Sequence, residues 1–184
     1  MIWLSSDTHF CHDREFIWKK RDFQSVEEMN QTIIKNWNEL IAPDDEVYLL
    51  GDVMLKDSDK GMECLSQLNG HIHIALGNHD TDAKAALYIL ASNVVDIQLA
   101  YKLNWKKYHF YLSHYPTYTG NLEQEPLSKT LINLYGHTHQ LTNFFEDRPY
   151  MYHVGLDSHN NKPINLETII LDCQIKHRKC IEML

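Results

Sequence analysis

Five short apolar segments of this chain each end in a polar cluster, and four of the five clusters contain histidine. The segments, which we predict to be strands, are Met1–Ser6, Glu46–Leu50, His71–Leu76, Lys107–Ser113 and Leu131–Tyr135. The clusters are Ser6-Asp7-Thr8-His9, Gly51-Asp52, Gly77-Asn78-His79-Asp80, His114 and Gly136-His137-Thr138-His139. In open α/β sheets the carboxyl ends of the strands surround the ligand crevice. We therefore expect the five clusters to meet at one place in the fold.

Helical patterns separate several of these segments, which is typical of an α/β chain. Ser25 with Glu28 three residues later forms a capping box, which predicts the start of a helix. Apolar residues at helical spacing after it predict a helix of about four turns. A shorter helix begins at Asp57 or Ser58, and a third covers roughly Asp82–Ala91.

The second half of the chain predicts more strands and one helix. Val94–Leu103 and Lys107–Ser113 resemble the two strands of a hairpin, and Tyr150–Val154 is a further strand. Asn165 caps a final helix, but the stretch Ile175–Ile181 is compatible with either a helix or a strand.

The composition is that of a globular protein and argues against several classes. A chain of 184 residues favours one domain over 1–184, at the usual ~100–200 residues per domain. The net charge of −8 is opposite in sign to that of a protein that coats nucleic acid. No apolar run approaches the ~18 residues of a membrane span, and the first residues do not resemble a signal peptide. Four cysteines without a C-x-x-C pair favour reduced thiols, so we expect a cytoplasmic protein.

Taken in order, the clusters contain D-x-H, G-D, G-N-H-D, H and G-H-x-H, and this order resembles the calcineurin-like metallophosphoesterase superfamily. The resemblance covers residues 7–139, and Val154-Gly155-Leu156-Asp157 resembles the C-terminal segment of small bacterial and phage members. It implies an α/β fold in which two β-sheets form a sandwich flanked by helices, a four-layer αββα arrangement. It also implies a dinuclear metal centre at the strand ends.

The resemblance further implies a set of ligands for two divalent metal ions. One ion would be held by Asp7, His9 and His139, and the other by Asn78, His114 and His137. Asp52 would bridge both ions. Imidazole and carboxylate suit Mn²⁺, Fe or Zn²⁺, and two neighbouring cations need a shared anionic ligand. Such a centre is locally cationic, which explains how a chain of negative net charge can bind a phosphate.

The implied reaction is hydrolysis of a phosphoester by a hydroxide that the metal ions activate. His79, which the ligand set leaves unused, would protonate the leaving alkoxide, with Asp80 orienting it. His12 and Arg14 are candidates for contact with the phosphate, and an ordinary loop position is the alternative for each.

We expect small phosphodiesters to be the substrates, with some activity on monoesters and little on long nucleic acid. Contacts to the substrate must come from the loops Phe10–Phe23, which is basic, and Tyr115–Pro126, which carries acidic residues. An acidic loop would repel an extended polyanion. Two tyrosines follow His114 in the second loop, Tyr115 and Tyr118. We interpret them as loop-packing residues, with stacking on a substrate as the alternative.

Three other hypotheses lead to different expectations. A non-catalytic interaction module of this fold would have lost ligands or the proton donor, and this chain has both. A nuclease of the same fold needs a basic groove. A lactamase-like metallohydrolase needs an H-x-H-x-D-H loop, which the sequence lacks. The sequence leaves open the physiological substrate, the native metal pair and the oligomeric state.

Overall fold

Strands and helices alternate along the chain in the computed structural model, which describes residues 1–121 and 125–182. The helices are α1 (Glu15–Trp18), α2 (Val26–Leu40), α3 (Ser58–Ser66), α4 (Asp82–Tyr88) and α5 (Leu166–Glu182). The strands are β1 (Ile2–Ser5), β2 (Glu46–Leu49), β3 (His71–Ala75), β4 (Val94–Gln98), β5 (Ala100–Trp105), β6 (Tyr108–Ser113), β7 (Leu131–Tyr135), β8 (Met151–His153) and β9 (Ile164–Asn165). Part of the loop Tyr115–Pro126 lies outside the described residues.

The strands form two sheets whose parallel strands end on the same side of the molecule. The first sheet has the order β4-β3-β2-β1-β9, in which β1 to β4 are parallel and β9 is antiparallel. The second has the order β5-β6-β7-β8, a hairpin of β5 and β6 followed by two parallel strands. A parallel bridge between Ser6 and Gly155 joins the residues that follow β1 and β8. The carboxyl ends of both sheets therefore meet at one edge, as the sequence predicted.

Two apolar cores hold the layers together. One lies between the first sheet and α2, α3 and α4, where Trp37 and Tyr88 belong to the same buried cluster as strand residues such as Val47 and Ile72. The other combines the opposite face of the first sheet, the second sheet and α5. The predicted architecture of two sheets flanked by helices is confirmed. The two apolar cores support the edge at which the polar clusters meet. None of the helices in the described residues is long and apolar enough to cross a membrane.

The helix signals in the sequence act as expected. The Ser25 hydroxyl accepts a hydrogen bond from the Glu28 amide at 3.1 Å, and α2 begins at Val26, directly after Ser25. Asp57 caps α3 by accepting from the Lys60 amide at 3.1 Å. The Asn165 side chain accepts from the Glu167 amide, and α5 continues to Glu182, so Ile175–Ile181 is helical.

One predicted strand is wrong. Val94–Leu103 is two strands, β4 and β5, which belong to different sheets, and the chain passes from one sheet to the other at the exposed Leu99. The predicted hairpin exists, but β5 forms it with β6. The Tyr101 hydroxyl donates to the carbonyl of Ile74 at 3.0 Å and thus attaches the start of β5 to the first sheet. Alternation of apolar residues runs unbroken through such a crossing, so it does not reveal it.

Candidate metal centre

The turns that follow the strands place the predicted ligands at the shared edge by an unusual backbone conformation. Five of the seven predicted ligands have a left-handed backbone with φ between 47° and 67°: Asp7, His9, Asp52, His137 and His139. This conformation is unfavourable for residues other than glycine by roughly 1–2 kcal/mol each. Such strain persists where the surrounding structure enforces it, and it is concentrated at functional sites.

Two glycines let the chain pass close to the carboxylates. A Cβ at Gly77 would collide with Oδ1 of Asp52, and a Cβ at Gly136 would collide with the hydroxyl of Ser6. Glycine is therefore required at both positions for the polar turns to close on one another.

The Asp7 group, which we define as Asp7, His9 and His139, lies on one side of the centre. The Nε2 atoms of His9 and His139 are 3.1 Å apart, and each is 3.8 Å from Oδ1 of Asp7. Asp7 and His9 are buried, and His139 lies nearer the surface. Burial, with the charge of Arg21 beside it, lowers the pKa of His9 well below its usual range, so the ring is neutral and its lone pair is available.

The Asn78 group, which we define as Asn78, His114 and His137, lies on the other side. The side-chain oxygen of Asn78 is 3.0 Å from Nε2 of His114 and 2.9 Å from Nδ1 of His137. His114 donates from Nδ1 to the carbonyl of Leu50 at 2.8 Å, which directs the Nε2 lone pair into the group. Burial lowers the pKa of His137.

Asp52 lies between the two groups. Its Oδ2 atom is 3.7 Å from Nε2 of His9 and 3.6 Å from Nε2 of His114. Burial raises the pKa of this carboxyl, while the neighbouring His114 acts in the opposite direction. A divalent ion would supply the positive charge that a buried carboxylate at this position needs.

The arrangement of these atoms fits divalent metal ions. In such an arrangement the lone pairs of neutral imidazole nitrogens face one another and face a carboxylate. These lone pairs repel unless a cation or a proton lies between them. With ligands at ~2.0–2.2 Å from an ion, neighbouring ligand atoms are about 3 Å apart, close to the separations seen here. Within the described residues, two sets of side chains offer ligand atoms within 4.8 Å of one another: Asp7, His9 and His139, and Asp7, Asp52 and His114.

His79 lies at the mouth of the centre. Its side chain is 43% exposed, and its Nε2 is 4.0 Å from Oδ2 of Asp52. Its ring centre is 5.7 Å from that of His9, so it lies beside the Asp7 group. Lys84 donates to the carbonyl of His79 at 2.7 Å and fixes the turn that carries the ring.

Asp80 contacts the backbone around the centre, whereas we expected it to orient His79 directly. Its carboxylate accepts hydrogen bonds from the amides of Asp52, Val53 and Gly77 and from the hydroxyl of Tyr88, at 2.7–3.2 Å. None of the hydrogen bonds among the described residues joins it to the His79 ring. Asp80 therefore joins the turn after β2 to the turn after β3, and any influence on His79 passes through the backbone.

The two candidate phosphate contacts are in different environments. His12 is buried, with its ring centre 5.4 Å from that of His9. Arg14 is exposed, and its backbone amide donates to Nδ1 of His12 at 3.3 Å. Lys20 lies beside the Asp7 group, because its ammonium group donates to the carbonyl of His139 at 2.7 Å.

Sequence reasoning missed a buried ion pair behind the Asp7 group. Asp157 accepts from Nδ1 of His139 at 2.9 Å and from the guanidinium of Arg21 at 2.9 Å, and both side chains of the ion pair are at most 3% exposed. Arg21 also donates to the carbonyl of Asp7 at 2.8 Å. Burial opposes ionisation of Asp157, but the hydrogen bond from His139 and the Arg21 charge hold its pKa well below its usual range. Val154-Gly155 after β8 was the available signal, because it marks a sixth strand end.

The chain is similar in sequence and in fold to several known proteins. The sequence model of the calcineurin-like phosphoesterase superfamily domain matches residues 1–174. An uncharacterized protein of Methanocaldococcus jannaschii is 33% identical over 179 residues, which cover 92% of this chain and 89% of that protein. The gene 66 protein of Mycobacterium phage D29 is 28% identical over 180 residues, which cover 85% of this chain and 88% of that protein. A crystal structure of a protein of unknown function from Aquifex aeolicus is similar in fold, with a TM-score of 0.70, 23% identity, and coverage of 93% of this chain and 98% of that one.

Proposed function

Because the chain belongs to the calcineurin-like phosphoesterase superfamily, we propose that it is a metal-dependent hydrolase of small phosphodiesters, with some activity on monoesters. The observation that carries this proposal is the position of Asp52. Its Oδ2 atom faces an imidazole of each ligand group, at 3.7 Å on the side of His9 and 3.6 Å on the side of His114. One carboxylate can thereby serve two metal ions.

In this proposal the Asp7 group holds one divalent ion, the Asn78 group holds the other, and Asp52 is shared. When bound, the ions supply a nucleophile from water at neutral pH and neutralise charge on the phosphate oxygens. The donor set of imidazole, carboxylate and amide oxygen suits Mn²⁺, Fe or Zn²⁺. The chain holds these donors in place before binding, because Asp7, His9, Asp52 and His114 are all buried.

His79 is the proton donor in this proposal. When the ester bond to phosphorus breaks, the departing oxygen needs a proton unless it is already a stable anion. His79 is exposed enough to meet the leaving group, and its backbone amide donates to Oδ1 of Asp52 at 2.9 Å. This hydrogen bond and the one from Lys84 keep the ring at the edge of the centre.

Lysine side chains at the rim favour an anionic substrate. Lys20 is bonded to the carbonyl of His139 and Lys84 to that of His79, so each side of the Asp7 group has one ammonium group nearby. Two isolated lysines match a single phosphate, whereas a long nucleic acid needs a continuous basic surface. The net charge of −8 also argues against binding of long nucleic acid.

Hydrolysis of bis(4-nitrophenyl) phosphate tests the proposal. We expect hydrolysis with Mn²⁺, loss of activity after chelation with EDTA, and recovery when Mn²⁺ is returned. His114→Ala should abolish the activity, whereas His109→Ala, which changes an exposed histidine of β6, should retain it. Activity that survives chelation contradicts the proposal. So does efficient cleavage of plasmid DNA or long RNA by a protein that leaves small diesters intact.

A further inference from the structure

Tyr115 lies at the rim of the Asn78 group. Its ring centre is 5.0 Å from that of His114 and 4.9 Å from that of His137, in edge-to-face geometry with both. The residue is 47% exposed. Part of the ring is therefore open to solvent and available to a second ring.

The side of the centre at the Asp7 group carries the proposed proton donor and a second exposed aromatic residue. His79 and His12 each lie beside His9, with ring centres 5.7 Å and 5.4 Å away. Phe16, which is 66% exposed, lies 5.6 Å from His12. With His79 as the proposed proton donor beside the Asp7 group, Tyr115, which contacts the imidazoles of the Asn78 group, is placed to meet the ester group that stays on phosphorus.

We propose that Tyr115 stacks on an aromatic ring carried by the retained ester group, so that the preferred substrates are phosphodiesters with an aryl or nucleobase-bearing substituent there. This inference rests on the proposed phosphodiesterase function. In the reaction, the oxygen of water forms a bond to phosphorus and the bond from phosphorus to the leaving oxygen breaks. His79 gives the leaving oxygen a proton, water gives up one proton to solvent, and the retained group departs with the phosphate as a monoester. A monoester substrate has no retained ester group and gains nothing from Tyr115.

Stacking supplies enough energy to be measured as a preference. Rings that meet in offset or edge-to-face geometry attract one another beyond the effect of burial alone, and stacking of a base on an aromatic side chain is tolerant of which base it is. The preference should therefore be for an aromatic retained group in general, and not for one base.

Tyr118 provides a matched control on the same loop. It is exposed like Tyr115, but its ring contacts the guanidinium of Arg148, 5.6 Å from the ring centre, and none of the ring contacts among the described residues joins it to a predicted ligand. A substitution at this position removes an equivalent tyrosine without touching the imidazoles.

Two diesters with the same leaving group separate the role of Tyr115 from the chemistry. Bis(4-nitrophenyl) phosphate and methyl 4-nitrophenyl phosphate both release 4-nitrophenolate, but only the first retains an aromatic ring. We expect Tyr115→Ala to lower the ratio of their kcat/KM values by about tenfold, equivalent to ~1.4 kcal/mol. Tyr115→Phe and Tyr118→Ala should keep the wild-type ratio.

Binding gives a second readout that does not depend on turnover. Phenylphosphonate and methylphosphonate have no ester bond to hydrolyse and mimic the monoester product, whose single organic group is the retained one; only the first carries a ring. With Mn²⁺ present, isothermal titration of Tyr115→Ala should show weaker binding of phenylphosphonate relative to methylphosphonate than the wild type shows. Metal content, measured in the same samples, reports whether the two imidazoles are still in place.

Several results would overturn the inference. If the wild type cleaves both diesters and Tyr115→Ala leaves their ratio unchanged, Tyr115 does not recognise the retained group, and the proposed function stands. If the variant loses metal and both activities fall equally, the ring serves only to pack the imidazoles. If the wild type cleaves neither diester, the proposed function fails and this inference fails with it.

Discussion

Asp157 accepts a hydrogen bond of 2.9 Å from Nδ1 of His139, whose other ring nitrogen faces Asp7 and His9. This contact fixes which nitrogen carries the proton and leaves the Nε2 lone pair for a metal ion. Arg21 compensates the charge of Asp157 and donates to the carbonyl of Asp7, so one buried network orients two predicted ligands of the same group.

We predict that Asp157→Asn lowers affinity for Mn²⁺ and also destabilises the fold. Loss of a carboxylate behind a ligating histidine typically lowers metal affinity about 10–100-fold. The buried Arg21 would lose its counter-charge, and breaking such a pair costs about 3–5 kcal/mol. Mn²⁺ titration and urea unfolding of the metal-free protein measure the two effects separately. Asp147→Asn, at an exposed carboxylate, is the control, and wild-type Mn²⁺ affinity in folded Asp157→Asn would refute the role of the network.

His79→Ala should keep the metal content but lower kcat by about 10²–10⁴-fold on an ester with an alkoxide leaving group, the usual contribution of a proton donor. The loss should be much smaller for 4-nitrophenyl esters, because nitrophenolate needs no proton to depart. Steady-state kinetics on the two kinds of diester gives both values. Equal losses on the two esters would show that His79 does not donate the proton.

A cluster outside the candidate centre predicts a stability that depends on pH. His73 contacts Asp96 at 2.7 Å through Nδ1 and Glu46 at 2.8 Å through Nε2. Burial opposes ionisation of both carboxylates, but hydrogen bonds that include those from His73 lower the pKa of each. A carboxyl whose pKa is lower in the folded state stabilises the fold above its unfolded pKa, near 4, and loses that contribution as the pH falls through the folded value.

The difference in urea midpoint between the wild type and His73→Ala should therefore be fully present above about pH 5 and shrink as the pH falls below about 4. His109→Ala, at an exposed histidine of β6, is the control and should run parallel to the wild type. If the difference caused by His73→Ala is constant from pH 7 to pH 3, the cluster does not contribute through these carboxylates.

The location of the candidate centre was predictable because it follows from local signals. Apolar segments followed directly by Asp, Asn and His place these residues at strand ends, and parallel strands bring those ends together. The helix starts at Ser25 and Asp57 were predictable for the same reason, since a cap is a contact between residues three apart.

Contacts between distant parts of the chain were not predictable in this way. Arg21 and Asp157 are 136 positions apart, and nothing in either neighbourhood indicates the other. The passage between sheets at Leu99 was hidden because both strands around it alternate in the same way. The resemblance implied that Asp80 orients His79, but its carboxylate faces the amides of the turn after β2.

Metal analysis of Asp52→Asn shows whether one carboxylate serves two metal ions. Wild-type protein equilibrated with Mn²⁺ and freed of excess should hold up to two ions per chain by elemental analysis. Asp52→Asn should lower the occupancy of both, because the shared negative charge that offsets their repulsion is gone. Circular dichroism confirms that the variant is folded. One tightly held ion per chain, equally retained in the wild type and in Asp52→Asn, would show that Asp52 does not serve two metal ions.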